Sequence, residues 1–237
     1  MSRMPKTNRE RVLVIVEALG ELCSNVVFVG GSVSQFYADD SAVSEPRPTE
    51  DVDCIVDLST YSSYMRFCME ELARRRIVSD SRPGSPMCRF VVGDNDNMVD
   101  IMPIEDTGIG ESNRWYKPGF AVRKAYEITT GKVIYLLPVL YYIATKLEAL
   151  RSRGGNDYRG SKDFEDIVYV LASCSNVKES CVLCVDRNLM RYLADEFTLM
   201  LQRKNIDEEI ECSIYSGDED RGRFVKDTMK YISNFCR

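Results

Sequence analysis

The spacing of apolar residues changes along the chain and separates a mixed first part from a helical second part. Short β-branched and aromatic runs, bounded by glycine or polar turns, predict strands at 26–29, 51–57, 87–92, 98–102, 125–130 and 132–136. The turn residues at 93–96 predict a hairpin between the third and fourth of these strands. Apolar residues at helical spacing predict helices at 8–23, 60–76, 138–151 and 161–172, and a mostly helical chain from residue 176 onward. We therefore expect an α/β (α+β) fold, in which a mixed twisted sheet flanked by helices is followed by a helical C-terminal region.

The chain contains no histidine among its 237 residues, and this absence narrows the chemistry more than any other feature of the composition. It excludes Ser-His-Asp and Cys-His catalysis, and zinc sites that use histidine ligands. The 37 acidic residues direct attention instead to hard divalent cations held by carboxylate oxygens. The net charge of −6 excludes a surface that is basic throughout, as general nucleic-acid binding requires.

Nine cysteines are scattered through apolar segments, and their odd number does not favour a disulfide framework. Cys181 and Cys184 form a CxxC pair, but the sequence has no second pair, so we interpret them as small core residues. No apolar run reaches the length of a membrane span, and the first residues lack the apolar stretch of a secretory signal. We expect a cytoplasmic protein that does not bind membranes.

Three short segments carry residue types that suit phosphate and metal chemistry. Gly30-Gly31-Ser32 follows a strand, where glycines allow close approach of a ligand and amides at a helix start favour phosphate. Asp51 and Asp53 alternate within a strand, so their side chains leave the same face and can ligate one cation. Asp100 lies between apolar residues on another strand, and a buried acid is rare unless it is paired. Each feature alone has an ordinary alternative: a common turn, an exposed strand end, or an edge-strand acid that faces solvent.

If the strand of Asp100 lies beside the strand of Asp51 and Asp53, the three carboxylates form one cluster. Such a cluster can hold two Mg²⁺ or Mn²⁺ ions, the arrangement used for in-line phosphoryl displacement. Because the chain has no histidine, Asp100 is then the natural general base for an acceptor hydroxyl group.

In this order and context, the segments resemble the DNA polymerase β-like nucleotidyltransferase superfamily. The resemblance rests on Gly30-Gly31-Ser32, the run RPTEDVD at 47–53, and Val99-Asp100-Ile101. A last motif of the nearest group is a helix with a lysine and an arginine, followed by Lys-Asp and a further Asp, and residues 146–153 and 162–166 match it. That group is the AbiEii/AbiGii-type toxin nucleotidyltransferases of bacterial toxin–antitoxin and abortive-infection systems.

The resemblance implies a catalytic domain, residues 1–137, that binds a nucleoside triphosphate and transfers its nucleotidyl group. A helical domain, residues 138–237, then carries the last motif. The residues implied to contact the triphosphate are Gly30, Gly31, Ser32 and Lys146. The residues implied to hold Mg²⁺ or Mn²⁺ are Asp51, Asp53 and Asp100, and Asp163 is implied in a supporting or catalytic position. For Lys146 the alternative is an ordinary surface lysine.

The toxin-like resemblance also implies transfer to RNA, such as the 3′ end of a tRNA, and admits an antitoxin protein as a partner. A basic set of residues suits an RNA backbone: Arg151, Arg153, Arg159 and Lys162. Two alternatives stay open. One is transfer onto a small molecule such as an aminoglycoside, which the acidic net charge permits, and the other is a catalytically silent nucleotide-binding or partner-binding module.

Overall fold

The computed structural model describes residues 6–39, 45–58, 60–93, 97–214 and 218–235. By its internal contacts the chain divides into two compact units, one of residues 1–33 and 47–138 and the other of residues 34–46 and 139–237. The segment 34–46 therefore groups with the second unit by its contacts, although it lies within the first predicted domain. The two predicted domains, a catalytic domain at 1–137 and a helical domain at 138–237, stay a prediction.

Seven strands of the described residues form one mixed sheet in the first unit. They are β1 (Val26–Val29), β2 (Asp51–Val56), β3 (Ile77–Ser79), β4 (Arg89–Val92), β5 (Asn97–Pro103), β6 (Lys124–Thr129) and β7 (Lys132–Leu136). Their order across the sheet is β3-β4-β5-β2-β1-β7-β6. β2 runs parallel to β5 and β1 runs parallel to β7, whereas the other neighbours are antiparallel. The two strands that carry the predicted acids, β2 and β5, are thus adjacent and interior.

Helices α1 (Asn8–Leu19), α2 (Tyr61–Arg66) and α3 (Tyr116–Ala121) belong to the same unit. α1 begins in a capping box, in which the Thr7 side chain accepts from the Glu10 N–H and the Glu10 carboxylate accepts from the Thr7 N–H. Its apolar residues are buried where it packs on β2 and β5. From α2, the Tyr64 hydroxyl donates to the Ile101 carbonyl oxygen of β5 at 2.7 Å. These contacts fix the strands that carry the acids.

The second unit is helical. Its elements are α4 (Val139–Arg153), α5 (Lys162–Ser173), α6 (Val177–Leu183), α7 (Arg187–Leu201), α8 (Ile206–Cys212) and α9 (Glu219–Asn234). α4 packs against α5, α6 and α7, and most of its residues are buried. Ser161 caps α5 by accepting from the Phe164 N–H. A 3₁₀ helix, Gly31–Tyr37, crosses from the first unit into the second.

The mixed sheet and the helical C-terminal region confirm the predicted fold class. The first helix ends earlier than predicted, since Gly20 has φ +57° and the chain continues as a 3₁₀ helix to Asn25. β3 and α3 were not predicted, because elements of three and six residues show little periodicity of their own. α8 lies within the chain predicted to be mostly helical from residue 176. Residues 94–96 of the predicted hairpin turn lie outside the described residues. None of the described helices combines the length and apolar character needed to cross a membrane.

Candidate active site

Three of the predicted site residues lie on one face of two neighbouring strands. Asp51 and Asp53 alternate on β2, and Asp100 on β5 is the direct neighbour of Asp53 in the parallel register. Residues opposite each other in a ladder share a face of the sheet, as do residues two apart in one strand. Because Asp100 is buried on an interior strand, it is not an edge-strand acid that faces solvent. We call Asp51, Asp53 and Asp100 the carboxylate cluster.

The glycine turn lies against this cluster. Val29 is opposite Asp53 in the β1–β2 register, and Gly30 follows with φ +76°. A Cβ at residue 30 would overlap the Asp53 carboxylate and would lie 2.7 Å from its Cγ. Glycine alone tolerates both this backbone conformation and so close a side chain. Gly31 and Ser32 follow as buried residues at the start of the 3₁₀ helix. The predicted phosphate-binding turn and the carboxylate cluster are therefore immediate neighbours.

An arginine that the sequence analysis did not single out completes the arrangement. Arg89 lies on β4 directly opposite Asp100 on β5. Its Nε and one Nη donate to the two carboxylate oxygens of Asp100, each at 2.7 Å. The same Nη donates to Asp51 Oδ2 at 2.6 Å. One guanidinium therefore holds two of the three carboxylates, through the forked geometry that arginine offers to carboxylates.

Burial and charge shift the pKa values of the side chains around the cluster. The hydrogen bonds from Arg89 to Asp100 raise the pKa of the guanidinium above its usual range. Burial raises the pKa of the Cys88 thiol to about 11, and the charge of Asp100 adds to this effect. Burial also raises the pKa of the Cys54 thiol, with smaller contributions from neighbouring charges, that of Asp53 among them. At neutral pH Arg89 is thus charged, and both thiols are protonated and are poor nucleophiles.

The donor chemistry of the carboxylate cluster suits a hard divalent cation, because Mg²⁺ and Mn²⁺ prefer oxygen ligands. The arrangement of its atoms does not suit one. Within the described part of the chain, no group of three or more acidic or cysteine side chains is placed so that it can hold a metal ion. Arg89 supplies the positive charge that balances Asp51 and Asp100. With Arg89 in this position, the cluster does not form a metal site.

The remaining predicted site residues lie in the second unit and form a cluster of their own. Lys146 on α4 donates to Asp166 at 2.6 Å and to Asp163 at 3.4 Å, both on α5. Arg153, at the end of α4, donates to Asp163 at 2.8 Å. Only 8% of the Lys146 side chain is exposed, so it is not an ordinary surface lysine. We call Lys146, Arg153, Asp163 and Asp166 the lysine cluster, and it joins α4 to α5.

Opposing effects act on the pKa of Asp163 within this cluster. Burial by itself raises the pKa of the Asp163 carboxyl group, but the hydrogen bond from Arg153 and the positive charge of Lys146 outweigh it. The net result is a pKa below the usual value. Asp163 also lies in the first turn of α5, where the helix dipole favours a negative charge. The carboxylate is therefore ionised at neutral pH and stabilises the packing of the two helices.

The three arginines of the basic set predicted for an RNA backbone are paired with acids inside the second unit. The pairs are Arg151–Glu196, Arg153–Asp163, Arg159–Asp157 and Arg159–Glu208. The three arginine side chains remain accessible, with 60%, 51% and 44% of their surface exposed. Neighbouring acids reduce the positive potential that a phosphate backbone would meet there.

The CxxC pair belongs to the packing of the second unit. The eight cysteines within the described ranges form no disulfide. Cys181 is fully buried in α6, as expected of a core residue. The thiol of Cys184, just after α6, donates to the Asp186 carbonyl oxygen at 3.8 Å. Neither cysteine belongs to a candidate metal group among the described residues.

A signal for Arg89 was present in the sequence. The predicted strands 87–92 and 98–102 form a hairpin in which Val92 pairs with Asn97. Arg89 is three residues before Val92 and Asp100 is three residues after Asn97, so the same register sets Arg89 opposite Asp100. A hairpin is predicted from the sequence, but its register is not, so Arg89 was not singled out.

The fold has a counterpart among solved structures. The chain is similar to the crystal structure of an antigenic nucleotidyltransferase-like protein from Paracoccidioides brasiliensis, with a TM-score of 0.51 and 15% sequence identity. The likeness covers 89% of this chain and 96% of that chain. No family model and no curated protein matches the sequence. The chain therefore has a nucleotidyltransferase-like fold, and membership of the AbiEii/AbiGii-type toxin group stays a prediction.

Proposed function

We propose that the protein binds a nucleoside triphosphate and transfers its nucleotidyl group to an acceptor, with Mg²⁺ or Mn²⁺ as cofactor. The proposal depends above all on the close approach of Gly30 to Asp53. This approach brings a backbone turn suited to phosphate next to a sheet face with three carboxylates. The nucleotidyltransferase-like fold supports the same class of reaction.

The candidate site residues of the first unit each have a role in this proposal. The backbone amides of the Gly30-Gly31-Ser32 turn bind the triphosphate, because amide dipoles at the start of a helix stabilise negative charge. The carboxylate cluster is the proposed ligand set for the cation once the Arg89 guanidinium has left Asp51 and Asp100. In such reactions the cation neutralises phosphate charge. Asp100 is the proposed general base, and one of its carboxylate oxygens accepts the proton of the acceptor hydroxyl group.

For Lys146 and Asp163 we propose a supporting role. Both are buried and ion-paired, so they hold α4 against α5. A direct contact of Lys146 with nucleotide phosphates, as the resemblance implies, requires its ammonium group to leave Asp166. Because that ion pair is buried, breaking it is costly, and we therefore assign Lys146 to the support of the site rather than to phosphate binding.

RNA is the acceptor that we propose to test first, as in a toxin-like enzyme that is controlled by an antitoxin protein. The exposed guanidinium groups of Arg151, Arg153 and Arg159 support this choice. The pairing of each arginine with an acid favours the second acceptor class, a cationic small molecule such as an aminoglycoside. A single labelling experiment separates the two acceptor classes.

The test is transfer of label from each α-³²P-labelled nucleoside triphosphate in turn. Purified protein and Mg²⁺ are mixed with total cellular RNA, with a protein lysate, or with an aminoglycoside. We expect label in RNA, and we expect the double substitution Asp51→Ala with Asp53→Ala to reduce it at least about a hundredfold, as when a group that stabilises the transition state is removed. Asp227→Ala is the matched control, because this exposed aspartate on α9 pairs locally with Lys230.

Each outcome assigns the protein to one class. Label in RNA that the double substitution abolishes and the control retains establishes nucleotidyl transfer to RNA. Label on the aminoglycoside alone establishes a small-molecule acceptor. Saturable nucleotide binding without label in any fraction overturns the proposed transfer and favours a silent nucleotide-binding module. The three hydrogen bonds from Arg89 to the carboxylate cluster are the observation that favours this last class.

A further inference from the structure

The carboxylate cluster brings like charges into direct contact across the sheet. Asp53 and Asp100 are opposite each other on β2 and β5, and Asp51 lies two residues away on the same face. Like charges directly opposite in a sheet are destabilising. The guanidinium of Arg89 supplies positive charge to two of these carboxylates, those of Asp51 and Asp100.

Arg89 uses the same atoms that a metal ion needs. Both carboxylate oxygens of Asp100 and one of Asp51 accept hydrogen bonds from its guanidinium. A divalent cation requires direct bonds of about 2.0–2.6 Å to such oxygens, and it repels a guanidinium at that distance. The two cations are therefore mutually exclusive at the oxygens that they share.

The position of Arg89 also permits exchange. Its side chain is 23% exposed, that of Asp51 is 32% exposed, and that of Asp100 is 11% exposed. Ion pairs in contact with water are weaker than buried pairs and exchange partners at lower cost. Arg89 lies on β4, one strand from the edge of the sheet, and its long side chain can rotate without movement of the strand.

We propose that Arg89 is an internal counter-ion that excludes divalent cations from the carboxylate cluster until its guanidinium leaves Asp51 and Asp100. This inference rests on the proposed function, since it assumes that the cluster is the cation site. It makes Arg89 a positioning residue that sets the affinity for the cation. The protein is then stable without metal, and cation binding competes with an ion pair already present.

The test is Mn²⁺ binding to the full-length protein, measured by calorimetry and by electron paramagnetic resonance of free Mn²⁺. Arg89→Met keeps the length of the side chain and removes its charge and hydrogen bonds. We expect it to bind Mn²⁺ about tenfold more tightly than the wild type, since hydrogen bonds to charged groups change equilibrium constants by about this factor. Arg89→Lys keeps the positive charge but lacks the forked guanidinium geometry. We expect its Mn²⁺ affinity to lie between those of the wild type and Arg89→Met.

Arg82→Gln is the matched control. Arg82 lies close enough to Arg89 for their charges to repel, but its hydrogen bonds go to Asp80 and not to the cluster. We expect less than about a twofold change in Mn²⁺ affinity, because an exposed charge is screened by solvent and salt. An equal increase in Mn²⁺ affinity for Arg82→Gln and Arg89→Met overturns the inference, since the loss of one positive charge would then explain both increases. Equal affinity in the wild type and Arg89→Met, or no saturable binding in either, also overturns it.

A measurement on the wild type tests the inference even if the Arg89 variants fold too poorly for their Mn²⁺ affinities to be compared. The Nε–H of Arg89 donates to Asp100 Oδ1, so its exchange with solvent is slow while the ion pair is intact. We expect a nitrogen-15 NMR signal, assigned by its loss in Arg89→Lys, that disappears into fast exchange when Mg²⁺ is added. A signal that saturating Mg²⁺ leaves unchanged contradicts the inference.

These measurements separate the inference from the proposed function. Label transfer without any dependence of Mn²⁺ affinity on Arg89 refutes the inference alone. Tighter Mn²⁺ binding in Arg89→Met without label transfer refutes the proposed reaction alone.

Discussion

The carboxylate cluster of the first unit and the lysine cluster of the second unit contain the same kinds of group, yet they differ in burial. In the lysine cluster the side chains of Lys146 and Asp166 are 8% and 1% exposed. In the carboxylate cluster the paired side chains of Arg89 and Asp51 are 23% and 32% exposed. Solvent is therefore nearly excluded from the first pair and reaches the second.

This difference in burial predicts which cluster contributes to the stability of the fold and which contributes to ligand binding. Removing one partner of a buried ion pair leaves an uncompensated charge in a poorly solvated environment and destabilises the fold strongly. Removing one partner of a half-exposed pair leaves a charge that water can solvate, so stability changes less and affinity for a ligand changes more. We therefore expect substitutions in the lysine cluster to reduce the free energy of unfolding, and substitutions in the carboxylate cluster to change binding and transfer.

The largest effect is expected for Lys146→Met. The substitution leaves buried Asp166 without the ammonium group at 2.6 Å, and we expect a loss of about 3 kcal/mol or more in the free energy of unfolding. Urea unfolding followed by far-ultraviolet circular dichroism measures it, because the second unit is helical. The single tryptophan, Trp115, is buried in the first unit, so its fluorescence follows that unit separately.

Lys162→Met is the control for this prediction, since Lys162 is an exposed lysine at the first position of α5. We expect a change within about 0.5 kcal/mol, as for most surface substitutions. Equal effects of the two substitutions would show that the burial of Lys146 contributes nothing to stability, and the comparison between the clusters would fail.

An intermediate effect is expected for Gly30→Ala. Alanine at φ +76° costs about 1–2 kcal/mol in backbone energy, and its Cβ also displaces the Asp53 carboxylate. Gly131→Ala is a matched control, because Gly131 has the same φ and nothing lies within 4 Å of an added Cβ. We expect Gly30→Ala to lower the free energy of unfolding by at least about 1 kcal/mol more than Gly131→Ala, measured by urea unfolding and Trp115 fluorescence.

A double substitution shows whether Asp53 is responsible for the difference. In the Asp53→Ala background the carboxylate nearest to the added Cβ is gone, and only the Cβ of residue 53, at 2.9 Å, remains in close contact. We therefore expect the excess cost of Gly30→Ala over Gly131→Ala to shrink in that background. If the excess cost is undiminished there, the contact with the Asp53 carboxylate is not its cause.

The smallest effect is expected for Arg153→Gln, and it depends on pH. The pKa of Asp163 is lower in the folded protein than in the unfolded chain, where it is about 3.9. Its contribution to stability is therefore complete above the unfolded pKa and is lost as the pH falls through the folded pKa. Arg153 is half exposed, so we expect the substitution to cost about 1 kcal/mol or less at neutral pH.

Urea unfolding of wild type and Arg153→Gln between neutral pH and about pH 3 measures this dependence. We expect the difference between the two proteins to be constant at neutral pH and to shrink as the pH falls from the unfolded pKa of Asp163 toward its lower folded pKa. A difference that does not change with pH would mean that Arg153 contributes through packing rather than through the charge of Asp163.

The sequence by itself determined the local elements and the residue types of the candidate site. The two-residue period of a strand puts Asp51 and Asp53 on one face wherever that strand lies. Glycine at position 30 is dictated by a positive φ, and a turn after β1 is evident from the glycines alone. The absence of histidine restricts the chemistry to carboxylates, hydroxyls, thiols and basic side chains in whatever fold the chain adopts.

The tertiary structure alone decided which strands are neighbours and in which register. That register sets Asp100 beside Asp53 and Arg89 beside Asp100, although their sequence separations are long or pass through a turn. A strand carries no record of its partner in its own periodicity, since pairing depends on the burial of the whole sheet. For the same reason the sequence could not tell that Lys146 is buried against Asp166. The acids could therefore be found in the sequence, but the counter-ion that governs them could be assigned only from the fold.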